Sequence, residues 1–176
     1  MKRTVRAVAL TLMISVALAA AGAASGNEAA LYGFAASKAD ESLTIEDMLL
    51  YAAQDEYLAR GEYVAIMNKF GVMRPFSNIM RAEENHLAWL KDAFAAFKLS
   101  FPVDGSGAYI QAPATLLDAY KAGVQAEIDN IAMYDRFLST ALIQSPENKD
   151  LQVLFNNLKS ASENHLRAFQ NQLARY

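Results

Sequence analysis

The chain has 176 residues, 53 % hydrophobic and 20 % charged, with only 4 Pro and 8 Gly, a composition that excludes a disordered or fibrous protein. Its formal net charge of -3 excludes the basic footprint that nucleic acid or an anionic membrane surface demands. Cys is absent, which excludes disulfides, iron–sulfur clusters and any Cys-ligated zinc or iron centre.

Residues 1–23 read as an export signal. Lys2, Arg3 and Arg6 form a charged n-region, the run from Ala7 to Ala20 is apolar apart from Thr11 and Ser15, and Ala21-Gly22-Ala23 fits an A-x-A cleavage site. Cleavage leaves a chain starting near Ala24, roughly 150 residues long, the usual size of one domain. The competing reading is an uncleaved anchor, because the apolar stretch counted on to Ala24 is just long enough to span a bilayer. Either way the remainder is expected outside the cytoplasm, as a periplasmic, cell-surface or secreted protein, membrane-anchored if the signal stays on.

Residues 24–42 are small, polar and aperiodic and read as a linker, followed by one domain over 43–176. That domain carries four segments of helical periodicity separated by breakers. Helix A is expected over 44–70, with Thr44 as N-cap, Glu46 and Asp47 in the first turn where the helix dipole favours negative charge, and Gly71 as terminator. Helix B is expected over 75–98. A longer loop over 100–112, with Pro102, Gly105 and Gly107, can cross one end of the helices. Helix C is expected from Pro113, a good first-turn residue, to just before Pro146, with a kink at Gly123. Helix D is expected over 147–174. With no convincing strand, the fold class is all-α, an antiparallel four-helix bundle of two hairpins joined by the longer B–C connection.

The core seam of each helix follows alternating steps of three and four residues. It runs Leu49, Ala52, Glu56, Ala59, Tyr63, Ile66 on helix A and Phe76, Ile79, Glu83, His86, Leu90, Phe94 on helix B. On helix C it runs Tyr120, Gly123, Glu127, Asn130, Tyr134, Phe137, and on helix D Phe155, Leu158, Ser162, His165, Phe169. Each seam is apolar at both ends and polar in the middle. A lone Glu or His near a seam is usually a half-solvated boundary residue. Here Glu56, Glu83, His86, Glu127 and His165 include both histidines of the chain, and at about 1.5 Å of rise per residue they lie level to within one or two turns. Burying three carboxylates together is costly without a counter-charge, and no Lys or Arg falls at these positions. A metal pair is the natural counter-charge, and Glu83 and His86, three apart on one face, can offer an oxygen and a nitrogen to the same ion. Tyr63 and Tyr134, one heptad from Glu56 and Glu127, read as core aromatics whose hydroxyls can bond to the carboxylates. Met48, Met67, Met80 and Met133 read as core filler and Trp89 as packing.

These residues carry a resemblance. Glu56-Tyr57-Leu58-Ala59-Arg60 with Tyr63 resembles the E-x-x-A-R-x-x-Y signature on the first metal helix of rubrerythrins and other ferritin-like proteins, and Glu83-Glu84-Asn85-His86 resembles the E-x-x-H of the second. Closer still is a bacterial and archaeal ferritin-like family known only as a domain of unknown function, which Pro102-Val103, Tyr109, Pro113 and the stretch from Asn164 to Phe169 also resemble. The resemblance covers roughly residues 45–174. It implies a dinuclear iron centre, with manganese or zinc as alternatives, reacting with peroxide or dioxygen. Glu56, Glu83 and Glu127 would ligate or bridge, and His86 and His165 would each supply one nitrogen. In a full site of this kind the fourth helix offers a second E-x-x-H, but the position three before His165 is Ser162. Glu163 is turned about 100° off the seam, and Asp129 could contribute only if helix C bent near Gly123. Without Cys the electrons must come from an external donor. The expected partners are metal ions, peroxide or dioxygen and that donor, with a homodimer compatible and nucleic acid excluded. Two other readings stand beside the redox one, metal sequestration in the cell envelope and a metal-free helical interaction module.

Overall fold

The computed structural model describes residues 30–176, and the expected export signal and the first part of the expected linker lie outside them. The described chain is all-helical. Six helices follow in order, α1 (Phe34–Ala39), α2 (Ile45–Phe70), α3 (Phe76–Ala96), α4 (Leu116–Ser139), α5 (Ala141–Gln144) and α6 (Lys149–Leu173), with single 3-10 turns at Ser106–Ala108 and Pro146–Asn148. Among the described residues no helix is long and apolar enough to cross a membrane.

Local chemistry sets the helix ends. The Thr44 side chain accepts from the Asp47 backbone N–H while Asp47 accepts from the Thr44 N–H, a reciprocal capping box that contributes about 1 kcal/mol. Gly71 then closes α2 at φ 94°, a backbone region that strains any residue with a Cβ. Helix C proves shorter than its pattern at both ends. Thr115 caps α4 by accepting from Asp118 N–H at 3.1 Å, so Pro113 lies before the helix. At the other end Thr140 leaves the helical conformation and caps the separate short α5. The helix is continuous through Gly123. The glycine answers to close packing: a Cβ there would lie 2.8 Å from Phe169 Cζ.

Helices α2 and α3 pack along each other, as do α4 and α6; α2 also packs on α4, and α3 on α6. Two apolar clusters fill the interior. One holds Met48, Leu49, Leu90, Phe94, Tyr134, Phe137, Phe155 and Leu158, and the other Tyr63, Ile66, Phe76, Ile79, Tyr120 and Phe169. Following the chain through these clusters gives the directions: α2 and α6 run from the first to the second, α3 and α4 from the second to the first. All adjacent helices are therefore antiparallel, and α3 and α4 point the same way. The connection between them has to traverse the length of the helices, not merely cross an end. It does so along the flank of α2, where Arg60 pairs with Asp104 at 3.0 Å and Tyr57 donates to the Pro102 carbonyl at 3.3 Å.

Part of the expected linker is ordered. The Phe34 N–H donates to Asp55 Oδ1 at 2.9 Å, the Gly33 N–H to Gln54 at 3.0 Å, and the Arg136 guanidinium donates to the carbonyls of Ser37 and Asp40. These bonds fasten α1 across α2 and α4, and Tyr32 stacks on Tyr109 at 4.6 Å. Six helical residues are too few to show periodicity, and their partners lie up to 99 residues away, so the segment reads locally as coil.

Candidate metal centre

Between the two apolar clusters each long helix presents polar groups. Glu56 comes from α2, Glu83 and His86 from α3, Glu127 from α4 and His165 from α6, all at most 9 % exposed. Their arrangement is centred on Glu83. Its Oε2 lies 2.7 Å from His86 Nδ1 and its Oε1 lies 3.3 Å from His165 Nδ1, so one carboxylate faces both imidazoles. Glu56 Oε2 flanks His86 Nδ1 at 3.0 Å, and Glu127 Oε1 flanks His165 Nδ1 at 3.5 Å. Two overlapping triplets that could hold a metal ion result, Glu56–Glu83–His86 and Glu83–Glu127–His165, each with nitrogen and oxygen atoms within 4.8 Å of one another. The imidazoles stack at 5.8 Å between centroids, inclined by 23°.

Two tyrosines hold the outer carboxylates. Tyr134 on α4 donates to Glu56 Oε1 at 2.6 Å, and Tyr63 on α2 donates to Glu127 Oε1 at 2.9 Å. Each tyrosine thus serves the carboxylate of the opposite helix. Glu83 Oε1, Glu127 Oε2 and His165 Nδ1 are buried without a hydrogen-bond partner, as is Asn130 Oδ1, one turn beyond Glu127. Orphaned buried donors and acceptors are costly, and here they converge on one layer of oxygen and nitrogen, the donor set of a borderline divalent cation. The residues present fit such an ion.

The protonation states follow from this packing. Burial alone would lower the histidine pKa values, but Glu56 and Glu83 raise His86 to about 10, and Glu127 and Glu83 raise His165 to about 9. Burial and the neighbouring Glu83 charge push Glu56 up to about 7. Burial also pushes Glu83 upward, but the close approach of His165 and His86 outweighs it and holds that carboxyl below its usual value. Without metal, two imidazolium ions neutralise much of the acid cluster, a counter-charge that the sequence reading assigned to metal alone.

All five residues that the sequence singled out as candidate ligands lie in this layer. Ser162 is buried beside it on α6, while Glu163 turns outward toward Lys159 at 4.0 Å. Asp129 accepts from Gln125 at 3.0 Å and lines a cavity of about 330 Å³ between α1, α2 and α4, so it does not join the cluster. Met48, Met67 and Met133 are buried and Met80 packs at the edge of the core, as expected of filler. Trp89 is no core residue: it is 45 % exposed and lies against the His86 ring at 5.3 Å. Asp55 went unnoticed in the sequence. It is off the seam of α2, and burial pushes its carboxyl up to about 8, the Phe34 N–H being its hydrogen-bond donor. Its signal could not come from α2 alone, since α1 is what buries it.

No family model matches the chain, and no solved structure matches it. An uncharacterized protein of Methanocaldococcus jannaschii is 27 % identical over 143 residues, spanning 73 % of this chain and 74 % of the relative. Its description names no activity, so the functional argument rests on the site.

Proposed function

We propose that this chain is an exported ferritin-like four-helix bundle holding a dinuclear, carboxylate- and histidine-ligated metal centre, with two irons that react with peroxide or dioxygen. The observation that carries this reading is Glu83, whose two oxygens each face a different histidine while Glu56 and Glu127 flank the outer sides. A carboxylate shared in this way is suited to bridging two ions, with Glu56 and His86 completing one and Glu127 and His165 the other. The lengthwise connection between two parallel helices, α3 and α4, supports the ferritin-like topology. The charged n-region, apolar run and Ala21-Gly22-Ala23 support export, and the mass of the mature protein should place its start near Ala24.

Bound irons would supply the redox chemistry, with their open coordination positions as the place of reaction. The chain's own contribution is positional and electrostatic. Tyr134 and Tyr63 fix Glu56 and Glu127 through one oxygen each, leaving Glu127 Oε2 free toward the interior. His86 and His165 must surrender their protons to ligate. The apolar clusters on either side exclude bulk water along the helix axes. Because the chain has no Cys, electrons come from a separate donor.

Anaerobic Fe(II) titration tests the reading. Two ions per chain should bind, and peroxide should then produce a near-ultraviolet oxo-bridged Fe(III) absorption. Glu83→Ala should abolish that absorption while the helical circular dichroism persists, since the apolar clusters remain. A single bound ion with no peroxide reaction would refute the dinuclear reading.

A further inference from the structure

An apolar cavity of about 350 Å³ opens between α3 and the start of α6, with the Trp89 indole, Phe97 and Leu154 among its walls. Glu147 and Asp150 are acidic, and none of the residues lining it is basic. The same indole touches the His86 ring at 5.3 Å between centroids, and His86 in turn stacks on His165 at 5.8 Å. His86 is only 4 % exposed whereas Trp89 is 45 % exposed. One continuous line of aromatic rings therefore joins this cavity to the buried carboxylate and histidine cluster. Core packing does not require an indole there, since nearly half of it faces water.

We propose that this cavity binds a flat nitrogen-heteroaromatic electron carrier of the N-alkyl dihydrophenazine type, and that Trp89 passes its electrons through His86 to the metal centre. The proposal rests on the redox reading of that centre. Small-molecule sites typically enclose about 300–1,000 Å³, so this cavity admits a molecule of two or three fused rings. Offset or tilted stacking on Trp89 and Phe97 favours a flat aromatic. The charge of the site selects among such molecules. An N-alkyl dihydrophenazine is neutral when reduced and cationic once oxidised, because its alkylated nitrogen cannot lose a proton, and Glu147 and Asp150 stabilise the positive charge as it develops. The absence of basic lining residues disfavours anionic carriers such as nucleotides. The step balances: one 5-methyl-5,10-dihydrophenazine gives two electrons to two Fe(III), yielding two Fe(II), one 5-methylphenazinium cation and one proton. The carrier is the external donor that a Cys-free chain needs.

Trp89 is the sole tryptophan, so its fluorescence reads the site directly in metal-free protein. Titrating the full chain with 5-methylphenazinium should quench it saturably. Ala96→Phe, at an exposed position on the cavity wall, should abolish the saturable component without disturbing the core. Glu147→Gln with Asp150→Asn should weaken binding by about fivefold and flatten its salt dependence. In iron-loaded protein, Trp89→Leu should slow reduction by the dihydrophenazine relative to wild type, because the aromatic contact between the cavity and His86 is removed, whereas reduction by dithionite, which needs no cavity, keeps its wild-type rate. Linear quenching that is the same in Ala96→Phe overturns the binding site, and equal dihydrophenazine rates in wild type and Trp89→Leu overturn the route. If dithionite itself leaves the bound metal oxidised, the redox reading fails and the route with it, whereas the fluorescence arm separately decides the cavity.

Discussion

Metal binding at neutral pH should release protons, and the structure sets how many. His86 and His165, raised to about 10 and about 9 by the carboxylates around them, are both imidazolium at pH 7. An imidazolium cannot ligate, so filling both halves of the centre displaces about two protons. Glu56, pushed up by burial and the neighbouring Glu83 charge, adds to that release wherever it is still protonated. The product of the two binding constants should therefore climb on the order of a hundredfold per pH unit between 7 and 8, and level off above pH 10. Zn(II), which is redox-silent, is a suitable probe: calorimetry in two buffers of different ionisation enthalpy gives the proton count. In His86→Gln the count should fall by about one. The same shifts fix the pH dependence of the metal-free fold. A histidine whose folded pKa is raised contributes stability that is complete below its unfolded value and lost as pH rises through about 9 to 10. Glu56 and Asp55, also raised, lose theirs as pH rises through about 7 and about 8. The metal-free Tm should thus fall steadily from pH 5 to pH 10, and metal should raise it most at the alkaline end. Heats independent of buffer, with a binding constant flat in pH, would refute the imidazolium pairing on which this reasoning depends.

Three substitutions probe the scaffold around the site. Tyr134→Phe removes the donor to Glu56 Oε1 and leaves a buried oxygen unpartnered, which should cost about 1–3 kcal/mol in denaturant unfolding of the metal-free protein; an unchanged midpoint would mean water replaces the hydroxyl. Ser162→Glu puts a carboxylate at a buried position three before His165, so metal-free protein should melt lower while the ion assigned to Glu127 and His165 binds more tightly by competition with a chelator. No change in either measure would show that position 162 faces away from the ions. Gly123→Ala should destabilise by about 1–3 kcal/mol through the clash with Phe169, even though alanine favours a helix by about 1 kcal/mol. A higher Tm would show that Phe169 yields freely.

The sequence by itself determined the four long helices and the polar layer. Glu56, Glu83, His86, Glu127 and His165 were legible because each interrupts an apolar seam of steps three and four, and because helical rise is constant enough to place them at one depth. The outward turn of Glu163 followed from the same periodicity. Other features depended on contacts between distant segments. The carboxylate of Asp55 is buried by α1, the role of Gly123 is set by Phe169 on α6, and the connection over residues 100–112 runs along α2 because α3 and α4 happen to be parallel. Only the tertiary structure decided that Tyr134 bonds to Glu56 and Tyr63 to Glu127, since spacing places a hydroxyl on a seam but not which neighbouring helix it meets. It also decided that Trp89 stands half in water against His86. The division has a simple cause. Periodicity is a property of one helix and is written in consecutive residues, whereas burial, hydrogen-bond partners and pKa arise from the approach of segments far apart in the chain.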